Sequence, residues 1–248
     1  PRYVLTFAEF SQRCPAFFKR IKIMLKLFEQ ELQLPADMEF TYETETDRLT
    51  LVQLRPLSVY DDRGRVEIPQ VPHERIVLRG DRMVANGRLE GIRHIVYVDP
   101  DLYGKTPDFN EVARTVGDLN KELDGERYLL VGPGRWGSSN PLQGVPVRYS
   151  ELSNAGCLVE LGIASRGVSP ELSYGTHFFL DLDGDDILYL PVFDGVKDNV
   201  FNREWFEGHE WRKTGHPAVR HYVGKFDVLL DGDSETGIVI DRCRPEVK

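Results

Sequence analysis

Two acidic residues, Asp37 and Glu39, stand two apart in Pro35-Ala36-Asp37-Met38-Glu39-Phe40. An amide and a guanidinium, Gln53 and Arg55, stand two apart in Leu51-Val52-Gln53-Leu54-Arg55-Pro56. On a strand a two-residue step returns to the same face, so each pair projects to one side. Two carboxylates beside an amide oxygen offer hard oxygen ligands for Mg2+, which keeps waters and bridges to nucleotide phosphates. A guanidinium holds phosphate oxygens bidentately. These are parts that stabilise a transferring phosphoryl group by position and field. The same spacing also describes a solvated hairpin whose polar face carries a surface salt bridge.

A second candidate is the stretch Tyr128-Leu129-Leu130-Val131-Gly132-Pro133-Gly134-Arg135-Trp136-Gly137-Ser138, which spells G-x-G-x-x-G. A dinucleotide turn needs a helix to begin at that loop, so that its N-terminal amides meet the pyrophosphate. Pro141, Gly144 and Pro146 follow instead, and a helix interior does not tolerate that spacing. The Rossmann reading therefore fails on context. Two readings remain. In one, Gly132, Gly134, Arg135, Gly137 and Ser138 form an anion-binding nest of backbone amides. In the other, Trp136 fills a gap and the glycines turn the chain in an Ω-type loop. A third candidate, His177 with Asp181 and Asp183 on one strand face, reads as a metal site or as ordinary sheet residues. His209, His216 and His221 show no metal-ligand spacing and read as packing or surface residues.

The elements that must position these groups follow from periodicity. Pro15 to Leu34 predicts a helix, with Pro15 in its first turn and Phe17, Phe18, Ile21, Met24, Leu25, Phe28 and Leu32 inward. Alternation over residues 37–43, the polar turn Thr44–Asp47 and the apolar residues Leu49, Leu51 and Val52 predict an antiparallel hairpin ending at Pro56. Residues 58–74 read as a linker. Beyond it, residues 75–80, 94–99, 127–132, 157–163, 176–182, 186–193, 222–230 and 237–243 read as strands. A helix spans about residues 107–124, with Thr106 as N-cap and Val112, Val116, Leu119 and Leu123 inward. The expected class is α+β: a helix and hairpin over residues 1–57, then a mainly antiparallel α+β domain over 75–248.

The 248-residue chain is 41% hydrophobic and 29% charged, an ordinary globular composition. Its net charge of −9 opposes non-specific binding to nucleic-acid phosphates. No apolar run approaches the length of a membrane span. The three widely spaced cysteines, Cys14, Cys157 and Cys243, cannot close a disulfide framework, and a reduced cytoplasmic compartment is the simplest reading. The chain opens Pro1-Arg2-Tyr3-Val4 without methionine, which reads as a fragment or processed piece.

An amphipathic helix, then P-x-D-x-E-F, then a strand ending L-x-Q-x-R-P resembles the close of the ATP-grasp nucleotide-binding domain of pyruvate phosphate dikinases and phosphoenolpyruvate synthases. The resemblance covers about residues 11–57. It implies that Glu39 and Gln53 hold magnesium and ATP phosphates, that Arg55 supports them and that Asp37 joins the cluster. It also implies that the glycine-rich phosphate loop and adenine-side lysine lie upstream. Past Arg55-Pro56 the family pattern continues with a phosphohistidine motif of the T-S-H type. Thr176-His177 lacks its serine and its small-residue helix, so that role is not transferred. The stretch from Leu129 through Arg148 to the residues around His177 resembles a C-terminal extension of some pyruvate-phosphate-dikinase-like proteins.

The expectation is therefore the C-terminal part of an ATP-dependent phosphotransferase. Its cofactors are ATP and Mg2+, and its partners are a nucleotide, a small phosphorylated or carboxylate substrate, and the rest of its own parent chain. The alternative is a small-anion-binding or regulatory module without catalysis of its own. A stand-alone hydrolase built on His177 and the aspartates is the weakest reading.

Overall fold

Phe17, Ile21, Met24, Leu25, Phe28 and Leu32 recur at helical steps, and in the computed structural model this row faces inward on helix α1 (Pro15–Leu32). The structure describes residues 14–56, 64–163, 171–173, 182 and 186–243, the side chains of Arg55 and Pro56 excepted. Pro15 takes the first turn, as its locked φ and missing N–H favour. Phe18, expected inward, is instead 43% exposed. The helix ends before Leu34-Pro35, because Gln33 turns left-handed at φ 55°. Strands β1 (Ala36–Glu43) and β2 (Arg48–Pro56) form the predicted antiparallel hairpin.

The chain divides into two units, Pro1–Asp62 and Arg63–Lys248. In the second, Val66 is buried, and Ile68 and Val71 pack on the core around Ile76, Ile238 and Ile240. This half of the expected linker belongs to the second unit.

The second unit is a curled sheet of β3 (Ile76–Gly80), β4 (Gly87–Val98), β5 (Tyr128–Pro133), β6 (Ala155–Leu161), β7 (Leu188–Val192), β8 (Val200–Phe201), β9 (Arg212–Lys213), β10 (Val219–Asp231) and β11 (Thr236–Asp241). Its order is β7-β6-β5-β4-β10-β11-β3-β8, with β9 beside β10. The sheet is more mixed than expected. The ladders from β4 through β10, β11, β3 and β8 are antiparallel, whereas β4, β5, β6 and β7 run parallel. The reason is visible in the side chains. β5, β6 and β7 are buried throughout, as parallel strands covered on both faces are. Leu129 and Val131 enter one core while Tyr128 and Leu130 enter the other.

Helix α2 (Pro100–Tyr103) follows β4, and α3 (Phe109–Glu122) makes the crossover to β5, burying Val112, Val116 and Leu119. The N-cap of α3 is Asp108, whose carboxylate accepts from the Asn110 N–H, not the expected Thr106. Helix α4 (Arg203–Gly208) adds Trp205 and Phe206 to the core inside the curl.

The curl brings β3 against β7 without a shared ladder. A Cβ on Gly80 would stand 2.3 Å from the Pro191 carbonyl oxygen, so only glycine permits this approach. The result is a barrel-like sheet that almost closes. No helix among the described residues is long and apolar enough to cross a membrane.

Candidate functional site

The hairpin places its four candidate residues through one irregularity. Near the turn, Tyr42 pairs with Leu49 and Phe40 with Leu51, an apolar face. Phe17 of α1 packs on that face, with ring centroids 4.5 Å from Tyr42 and 5.7 Å from Phe40. Continued without interruption, this register would set Gln53 opposite Met38, on the apolar side. A bulge intervenes: Phe40 pairs with Leu51, yet Glu39 pairs with Gln53, leaving Val52 as the extra residue. Beyond it Met38 faces Leu54 and Asp37 faces Arg55. The extra residue thus moves positions 53 and 55 onto the face of the two carboxylates. Asp37 and Glu39 are half-buried and Gln53 is exposed.

The far end of the hairpin is tied to the helix. Arg20 donates to Asp47 at 2.7 Å, and the Tyr42 hydroxyl donates to the other Asp47 oxygen at 2.7 Å. Both hydrogen bonds favour the ionised form, holding the Asp47 carboxyl below its ordinary range. The described residues contain no group of three or more His, Cys, Asp or Glu poised to hold a metal. A cation at Glu39 and Gln53 would take its remaining ligands from water and phosphate.

The glycine loop is organised differently from an anion nest. As expected, no α-helix follows it; the chain passes through turns to a single 3-10 turn at Tyr149–Glu151. Gly134 and Gly137 take positive φ, 62° and 78°. Their amides donate to protein carbonyls, Gly134 to Leu161 and Gly137 to Val145, while the Arg135 amide donates to Gln143. The Trp136 amide donates to the Glu160 carboxylate. Four successive donors are engaged within the protein, the arrangement of the packed-loop reading, one of the two that the sequence left open.

The loop's remaining groups are drawn into the same packing. A Cβ on Gly132 would strike the Trp136 ring at 2.7 Å, and that ring is fully buried with its Nε1 donating to the Val159 carbonyl. Ser138 bonds Asn140 within the loop. The Arg135 guanidinium donates to Glu171 at 2.8 Å, and its Nε has no partner among the described residues.

Sequence reasoning missed Glu160, a fully buried acid in the run Cys157-Leu158-Val159-Glu160-Leu161. Its oxygens accept from Trp136 N–H, from the N–H and hydroxyl of Ser173, and from the Tyr189 hydroxyl. Burial pushes its pKa up to about 7, against the four donors that favour the ionised form. One charge amid an apolar run was the available signal.

Thr176, His177, Asp181 and Asp183 lie outside the described residues, as does most of the strand expected at 176–182. His216 accepts from the Ala218 N–H and bonds Thr106, a packing role. His209 stacks on Trp205 with ring centroids 4.3 Å apart. His221 bonds a second buried histidine, His94, which the sequence analysis did not single out. No protein-family model matches the chain, and no curated protein matches it.

Proposed function

We propose that the hairpin is the magnesium- and phosphate-binding edge of a nucleotide site, and that the chain is the C-terminal part of an ATP-dependent phosphotransferase of the pyruvate phosphate dikinase kind. One observation supports this above the others: the bulge at Val52 sets Glu39 across from Gln53 and Asp37 across from Arg55. The same phase shift brings Leu54 opposite Met38 on the apolar side, so the bulge serves packing there while it re-aims the polar positions. An interruption that re-aims polar positions is the usual work of a bulge beside a site.

In this reading Glu39 and the Gln53 carbonyl coordinate Mg2+, which bridges the ATP phosphates and neutralises charge as the phosphoryl group moves. Arg55 binds a phosphate oxygen, and Asp37 orients the cluster. ATP and Mg2+ are the cofactors, and a small phosphorylated or carboxylate compound is the acceptor class. Other elements of the ATP-grasp fold complete the site, so this chain alone does not turn over ATP.

The test is paramagnetic broadening of backbone amide signals by Mn2+-ATP, which detects even weak binding. Broadening should centre on Glu39 and Gln53 and fall about tenfold in apparent affinity in Glu39→Gln, roughly the loss of one charged ligand contact. Broadening that ignores the hairpin, or that survives Glu39→Gln unchanged, removes the proposal.

A further inference from the structure

One arginine of the second unit stands in an apolar setting without a counter-ion. On β3, Arg79 pairs with Ile238 of β11 on one side and with Val200 of β8 on the other. Directly opposed strand residues share a face. Ile238 belongs to the small core around Val66, Ile76 and Ile240, whereas its neighbour Val239 enters the core inside the curl. Arg79 therefore projects from the outer face of the sheet, beside that small core. Its guanidinium makes no hydrogen bond or ion pair among the described residues, and Nε is closed off from solvent without a partner. A guanidinium covered on one side loses hydration there, and no protein acceptor compensates it.

Arg79 lines a cleft of about 850 Å3 that residues 65–71 form with strands β3 and β11. Buried Val66, Ile76 and Ile238 and half-buried Ile68 and Val71 make one part of its lining apolar. The other polar groups of the lining are largely engaged elsewhere. Asp231 accepts from the Ser234 hydroxyl at 2.6 Å and from the Asp233 amide at 3.0 Å, within its own turn. The Thr236 hydroxyl donates to the Ser234 carbonyl. Arg65 is 77% exposed and lies 3.8 Å from Asp233. Glu67 is exposed, where water and salt screen its charge. The cleft therefore presents one uncommitted guanidinium next to apolar side chains, with its serine and threonine hydroxyls already spent.

We propose that this cleft binds a small monocarboxylate with an apolar tail. Its carboxylate accepts from the terminal N–H groups of Arg79, whose fork matches two carboxylate oxygens. Its tail lies along Ile68 and Val71. A dianion such as phosphate would meet Glu67 and Asp231 with a single uncommitted guanidinium and no free hydroxyl to add. A carboxylate without a tail leaves the apolar lining wet, and a neutral apolar compound leaves Arg79 unmatched. The volume lies near the upper end of the range for small-ligand pockets. The site goes beyond the nucleotide reading and stands if that reading fails.

The experiment follows the Arg79 Nε–H signal and the Ile68 and Val71 methyl signals by nuclear magnetic resonance. The protein is titrated with hexanoate and with phenylacetate, then separately with hexanamide, acetate and inorganic phosphate. Hexanoate or phenylacetate at millimolar concentration should shift all three residues saturably. Hexanamide, which lacks the charge, acetate, which lacks the tail, and phosphate should each bind at least ~10-fold more weakly. Two variants test the two halves of the cleft. Arg79→Gln removes the cation, and Ile68→Asp sets a like charge beside the tail from a half-buried position. Each should weaken carboxylate binding at least ~10-fold while the remaining methyl spectrum stays native-like, and Ile68→Asp keeps the test decisive if Arg79→Gln does not fold. The proposal is overturned if neither carboxylate shifts these signals, if hexanamide or phosphate binds as tightly, or if either folded variant binds as the parent does.

Discussion

At the scale of single residues, Glu160 joins the loop at Trp136, the segment at Ser173 and strand β7 through Tyr189. Glu160→Gln keeps the shape but turns an NH2 group toward donors. It should destabilise the protein by about 1–3 kcal/mol, the usual result of leaving a buried polar group unmatched, as read by denaturant unfolding. The pH dependence carries a sign. Because the folded-state pKa is raised from 4.5 to about 7, the stabilising contribution is complete below 4.5 and is lost as pH rises through 7. The advantage of the parent over Glu160→Gln should therefore shrink between those limits. An advantage that grows with pH would mean that the four donors outweigh burial and keep the carboxylate ionised.

At the scale of elements, one residue controls the hairpin. Deleting Val52 restores an uninterrupted ladder and rotates positions 53 and 55 to the apolar face with Met38, because the side-chain period of a strand is two. The expected result is a folded protein whose cross-strand nuclear Overhauser contacts pair Gln53 with Met38 and whose Mn2+-ATP broadening at Glu39 is gone. Retained Glu39–Gln53 contacts would show that the turn or the flanking pairs hold the register without the bulge. The barrel-like sheet has a comparable single point. Gly80→Val places a Cβ against the Pro191 carbonyl, and the strain of parting β3 from β7 should lower the melting temperature by several degrees, the result of ~1–3 kcal/mol of overpacking.

At the scale of the whole molecule, the two units have unequal means of support. Helix α1 fully buries only Phe17, and Ile23 and Leu27 on it are 59% and 52% exposed. A lone hairpin with one helix is marginal in water. The second unit has two large cores and a nearly closed sheet. A chain starting at Arg63 should melt cooperatively, while a peptide of residues 14–56 should show little cooperative structure by circular dichroism; the reverse pattern would refute this division.

Much of this architecture was legible in local order. Helical spacing placed α1 and most of α3, two-residue alternation placed the hairpin, and the prolines after Gly137 excluded a dinucleotide turn. These depend on neighbours along the chain, whose geometry is regular. Tertiary structure decided three other matters: the phase shift at Val52, the engagement of the glycine-loop amides by Glu160 and nearby carbonyls, and the meeting of His94 with His221. Each depends on which distant groups arrive at one point, and periodicity carries no record of the partner. The parallel half of the sheet sits between these cases. Its apolar runs were visible, but apolar character alone marks burial on two faces and does not say in which direction the neighbouring strand runs.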